Sequence, residues 1–190
     1  MAAISRILAL AAAATLAGGA ALAQTALPLA PFNSVELRGG GHVEIRHGDA
    51  QRVTLLKGST AFTTARIEDG RKLVIDACNH DCPSHYDLEI QIVTPDIDAA
   101  SVSGGGLVES VGAFPNQHSI AAAVDGGGTV DVRSIDAASA NVAVDGGGKI
   151  LVKAEHALTA AIDGGGRILY WGDPEITSAI DGGGNVSKGS

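Results

Sequence analysis

Aromatic residues make up 3% of this 190-residue chain, and it has two cysteines, one methionine and one tryptophan. So few rings leave almost none of the stacking platforms on which base and sugar binders rely. Tyr170 and Trp171 are the one adjacent pair. Positive charge is also scarce: 13 Lys and Arg against 21 Asp and Glu give a formal charge of -8. That balance disfavours nucleic acid, anionic lipid and uronate-rich polymers as partners by simple repulsion. Helical periodicity is nowhere strong. Beyond the first residues no long apolar run exists to hold the mature chain in a membrane.

The opening "MAAISRILALAAAATLAGGAALAQ" carries one positive charge, Arg6, then an Ala- and Leu-rich run, then Ala21-Leu22-Ala23 before Gln24. This is the order of a secretory signal peptide with a small-x-small cleavage site. No cysteine stands directly after the apolar run, so an acceptor for a lipid anchor is not expected. Removing residues 1–23 leaves a single domain over 24–190, long enough for a real core. The expectation is an exported protein, periplasmic or secreted to the cell surface.

What the chain has in abundance is glycine, 26 residues, arranged in triplets. "DGGG" opens at Asp125, Asp145, Asp163 and Asp181, and "SGGG" at Ser103. The first glycines are spaced by 22, 20, 18 and 18 residues. Near-fixed periods of this size indicate stacked repeats. Two residues before each triplet stand Val102, Val124, Val144, Ile162 and Ile180. Two after it stand Val108, Val130, Ile150, Ile168 and Val186. Both columns are purely β-branched, and period-two alternation on either side of a glycine turn reads as strand, turn, strand with these columns inward. The fold class is therefore all-β: a β-helix-like solenoid with Gly-triplet turns and about 18–22 residues per coil. "GAFPNQH", "SIDAAS", "AEH" and "GDPE" read as looser turns at the far side, whose varying length makes the period drift. The regular repeats occupy 101–190, and 32–100 form a more irregular first half.

The triplets are not phosphate loops, because strands rather than helix N-termini follow them. Nor are they calcium β-rolls, which place the Asp after the glycines and use two turns per coil. The aspartates are expected to accept hydrogen bonds from their own turns. Stacking would still set Asp125, Asp145, Asp163 and Asp181 in a column at steps of about 4.8 Å. Such a column is a candidate for a weak calcium ladder, the only cofactor the sequence raises. Beside it, Ser101, Ala123, Ala143, Ala161 and Ala179 should form a smooth, outward, nearly uncharged stripe.

"CNHDCPSH" holds both cysteines. Cys78, His80, Cys82 and His85 could in principle take zinc, but the spacing matches no standard knuckle. Export to an oxidising compartment favours a Cys78–Cys82 disulfide, shaping a hairpin between "KLVIDA" and "YDLEIQIV".

The segment from Phe32 to Lys57 with Val43, Ile45 and Gly48, the strands Gly70 to Ile75 and Leu88 to Pro95, and then the S/D-G-G-G turns resemble a known family. It is the putative autotransporter adhesin, head GIN domain family of bacterial exported proteins, and the resemblance spans roughly Pro31 to Lys188. It implies a right-handed β-helix-like solenoid with an adhesion or surface-interaction role and no known catalytic residues. This chain differs in having Asp where Ser is commoner before the glycines, and no translocating barrel accompanies it.

The six histidines occupy non-equivalent positions, and no Ser-His-Asp spacing or metal-binding helix pair emerges, so no residue is assigned a catalytic role and no metal site is assigned. The reading is a non-catalytic exported scaffold or adhesin, binding a cell-envelope partner or a second copy. The alternative is a polysaccharide-binding or polysaccharide-cleaving β-helix using Tyr170 and Trp171 as ligand contacts.

Overall fold

The structure is a computed structural model that describes residues 24–190. The expected signal peptide, 1–23, lies outside the described residues. In chain order the strands are β1 (Thr25–Leu27), β2 (Ser34–Gly39), β3 (His42–His47), β4 (Arg52–Lys57), β5 (Thr64–Glu68), β6 (Lys72–Asp76), β7 (Glu89–Thr94) and β8 (Ala99–Gly104). They continue with β9 (Leu107–Val111), β10 (Gln117–Gly126), β11 (Thr129–Gly146), β12 (Lys149–Gly164), β13 (Arg167–Trp171), β14 (Glu175–Gly182) and β15 (Asn185–Lys188). No helix occurs among the described residues. The strands form one sheet that curls nearly closed around a single apolar cluster.

Every glycine triplet lies between two strands, and successive triplets pair in register. Gly104 is beside Gly126, Gly126 beside Gly146, Gly146 beside Gly164, and Gly164 beside Gly182. All these pairings are parallel. Strands before the triplets build one wall (β2, β8, β10, the second part of β11, the second part of β12, and β14). Strands after them build the other. The β-branched columns point between the walls as expected: Val102, Val124, Val144 and Ile162 are at most 3% exposed, and Val108, Val130, Ile150 and Ile168 are fully buried. Each such side chain contributes on the order of 1.5–3 kcal/mol, so repetition accumulates a core without aromatic residues.

At the corner the chain itself stacks. The N–H groups of Gly127, Gly147 and Gly165 donate to the carbonyls of Gly104, Gly126 and Gly146 in the tier below, at 2.9–3.0 Å. Those of Thr129, Lys149, Arg167 and Asn185 donate to Gly106, Gly128, Gly148 and Gly166. The first glycine of each repeated triplet has a strongly positive φ, between 106° and 120°, which an L side chain rarely adopts.

Three expectations need correction. First, "SIDAAS" and "AEH" are not turns: β11 and β12 run through them without leaving the sheet. Their mutual register shifts between Val132 and Asp136 and again between Ala137 and Ser139. The unmatched residues leave β11 two residues longer than β12, which accounts for periods of 20 and 18. Ile135, Ala137 and Ala154 are fully buried there, so the corner is turned by bulges around apolar side chains. Second, β6 and β7 form no hairpin. β6 pairs with β2 and β5, while β7 pairs with β3 and β4, in opposite walls. Their loop stands over the Gly39–Gly41 triplet, with Ala77 N–H donating to Arg38 and His42 N–H to Leu88. Third, the N–H groups of the middle glycines Gly127, Gly147 and Gly165 donate to the tier below rather than to the aspartates.

The first half also crosses over. The tier β6–β7 lies outside β2–β3 in the stack although it follows it in sequence. Beyond it the sheet ends in antiparallel strands, β1 on β4 and β5 on β6.

Candidate functional site

Two grooves lie on the two walls. The first runs along the triplet side of the wall that precedes the glycines, a cavity of about 680 Å³. Its floor is the column Ser101, Ala123, Ala143, Ala161 and Ala179, paired neighbour to neighbour. Its rim is Ser103 with Asp125, Asp145, Asp163 and Asp181, paired in the same ladders. Ala123, Ala143, Ala161 and Ala179 are exposed, as are all four aspartates. Both columns are where strand alternation puts them, since Val124 and its equivalents between them face the core. Among the described residues no three His, Cys, Asp or Glu side chains come together as a metal-holding group.

Glu36 closes one end of this groove. Its carboxylate accepts from Arg38 Nε at 2.6 Å and lies 2.9 Å from Lys72 Nζ. Burial pushes this carboxyl up, but the hydrogen bonds from Arg38 and Lys72 outweigh burial and hold it below the ordinary carboxylate range.

The second groove, also about 680 Å³, lies on the opposite wall and includes Asp131, Arg133, Ser134, Lys153 and Trp171. The Arg133 guanidinium sits 4.6 Å from the centre of the Trp171 ring. Asp131 holds it there, accepting from Arg133 Nη2 at 2.6 Å and from Nε at 2.9 Å. Lys153 is paired with Asp136 at 2.8 Å, and Ser134 Oγ donates to Ser110 Oγ at 2.6 Å. The groove's cations are thus neutralised within the protein. Tyr170 is not part of it: this ring packs against the core, in register with Val152.

Sequence reading found Trp171 but missed Arg133 and Lys153. All three stand five residues after the last glycine of a triplet, so counting one place further along the repeat would have brought them together.

Cys78 and Cys82 are joined by a disulfide in an exposed loop. Beside it, Tyr86 Oη accepts from the Ser59 N–H at 2.7 Å and shares a hydrogen bond with Thr63 Oγ1 at 2.7 Å. Thr63 Oγ1 in turn donates to the Ala77 carbonyl. The histidines are dispersed: His42 contacts Glu109 at 2.7 Å, His47 stacks edge-on against Phe114, and His80 lies near Phe62.

The described residues thus form an all-β fold with an open groove on each wall. Residues 116–174 match the family model described as "Putative auto-transporter adhesin, head GIN domain", so the resemblance carried by the glycine turns is borne out. A solved structure described as a putative adhesin from Bacteroides fragilis is 16% identical, with a TM-score of 0.52. The match covers 90% of this chain and 98% of that one, and it shows the fold. A putative cell adhesion protein from Clostridium sporogenes is similar at 10% identity and a TM-score of 0.41, covering 87% of this chain and 98% of that one. A putative lipid binding protein from Parabacteroides distasonis is similar at 16% identity and a TM-score of 0.39, covering 88% and 96%. No curated protein sequence matches.

Proposed function

We infer that this is an exported, non-catalytic β-solenoid that works as an adhesin or cell-envelope scaffold, with residues 1–23 as its signal peptide. The observation that carries the reading is the alanine column with its aspartate rim. Four tiers repeat the same outward pair of side chains in register, presenting an open, elongated groove of one repeated chemistry. Repetition at one strand spacing suits a partner that is itself extended or repetitive. The family match and the adhesin-like fold support a role in surface interaction.

The test is sedimentation of purified residues 24–190 with isolated cell envelopes. Saturable retention is expected; retention no greater than that of an unrelated acidic protein would overturn the reading.

The Arg133–Trp171 pair favours a second reading, a polysaccharide contact on the other wall, because an ordered indole and a guanidinium line one groove and supply apolar surface beside hydrogen-bond donors. Glycan binding that Trp171→Ala abolishes would establish it, and parent protein that binds no envelope glycan would dispose of it.

A further inference from the structure

The two ends of the stack are built differently. At one end the sheet finishes on antiparallel strands, β1 on β4 and β5 on β6, each with a single strand partner. Leu27 and Leu29 pack against the core. β5 carries Arg66 and Glu68, with Arg66 paired to both Glu68 and Asp76. A charged, antiparallel edge of this kind resists further strand addition.

The other end finishes on parallel strands. β14 pairs only with β12, and β15 only with β13, so each leaves one side of its backbone unpaired. The inward column is exposed there as well. Ile176 is 39% and Ile180 45% exposed, whereas their neighbours one tier below, Leu158 and Ile162, are 1% and 3% exposed. Two strand edges and two isoleucines thus wait for a surface that continues both walls at once.

We propose that this edge is the interface of a closed two-fold dimer, in which a second copy of the chain docks by the same β14–β15 edge. A partner must offer two unpaired strands at the separation of the two walls, and a second copy does so because its cross-section is the same. The two-fold makes the strands antiparallel across the junction, and there are two ways to arrange them. With β14 against β14, Ile176 opposite Ile180 forces Glu175 opposite Asp181, acid against acid. With the triplets Gly182–Gly184 of the two copies facing each other, β14 lies along β15. Ile180 then meets Val186, and Asp181 meets Asn185. Charge selects the second arrangement, which puts Gly183 of each copy near the axis. A two-fold junction consumes this edge of both copies, so assembly through it stops at two and does not continue into a fibre. This inference uses the tier geometry alone and is independent of which partner the alanine face takes.

The test uses residues 24–190. Light scattering across a wide concentration range should give twice the monomer mass. Ile180→Lys should weaken the dimer at least about tenfold while leaving thermal unfolding of the monomer intact. A Cβ at Gly183 meets nothing within 4 Å, so Gly183→Cys should fold and, under mild oxidation, form a covalent dimer on a non-reducing gel. Gly127→Cys, equally open but mid-stack, should not. A monomer at every concentration, a ladder of higher oligomers, or a dimer indifferent to Ile180→Lys would overturn the proposal. Gly183→Cys cross-linking no faster than Gly127→Cys would overturn it too. Loss of envelope retention with the dimer intact would instead count against the function proposed above.

Discussion

A side chain at Gly148 would run into Cγ1 of Val124 in the tier below, and its Cβ would stand 2.8 Å from the Gly128 carbonyl oxygen. Gly147, one residue earlier, has nothing within 4 Å of the same added atom. The triplet is therefore not three equivalent glycines. The first glycine supplies the positive φ, the third lets the tiers approach, and the middle one faces solvent.

Alanine substitutions should separate these roles. Gly146→Ala forces a side chain into φ +106° with the Gly126 carbonyl 2.8 Å away. Together with Gly148→Ala it should cost about 2 to 4 kcal/mol each, a fall in Tm of roughly 5 to 15 °C. Gly147→Ala should stay within about 1 kcal/mol of the parent. Thermal unfolding followed by circular dichroism decides it, and equal losses at all three positions would contradict the assignment.

The disulfide loop takes the place of a glycine corner in the tier that stacks on Gly39–Gly41, but it closes only a four-residue separation. Chain-entropy reasoning gives so short a loop about 2 kcal/mol or less. The Tyr86, Ser59 and Thr63 hydrogen bonds hold the same region without it. Replacing both Cys78 and Cys82 by Ser should lower stability by no more than that and leave the fold intact. Failure to fold in a denaturant titration would show the bond to be structural.

Acid should unfold the protein partly through Glu36. Its folded pKa lies below the ordinary value of 4.5, so the unfolded chain binds the proton more readily. The stabilisation is fully present above pH 4.5, and it is lost as pH falls through the lower folded value. Glu44, hydrogen-bonded by Arg46, acts in the same direction. In Glu36→Gln the fall in Tm between pH 6 and pH 3 should be shallower than in the parent. An identical slope would remove Glu36 from the account.

The aspartate ladder should respond to ionic strength. Four exposed carboxylates repeat at about strand spacing without a converging site, so their repulsion is a screening problem rather than a coordination problem. Sodium chloride should raise Tm, and calcium at matched ionic strength should raise it no further. A calcium-specific rise would mean that the ladder binds the ion.

Much of this architecture is legible in the sequence because side-chain alternation and the triplet spacing fix which residues face inward. Val124, Val144 and Ile162 inside and Ala123, Ala143 and Ala161 outside follow directly from parity. Two features do not. The bends in β11 and β12 look like turns in sequence, since Ser134, Asp136 and Ser139 are turn formers. Burial of Ile135, Ala137 and Ala154 keeps the chain in the sheet instead. The tier order of the first half depends on long-range pairing, of Val35 with Leu73 and of Val43 with Ile90. A local pattern carries no trace of which strand lies outermost. The Arg133–Trp171 contact was readable only from the repeat, not from either residue's own neighbourhood.

The most direct measurement of the central claim compares envelope retention of three proteins: the parent, Ala143→Arg in the middle of the alanine strip, and Trp171→Ala on the opposite wall. Ala143→Arg is expected to lose about tenfold or more of the affinity at unchanged Tm while Trp171→Ala keeps it. Retention unaffected by Ala143→Arg would contradict the claim that the repeated face is the surface by which this protein acts.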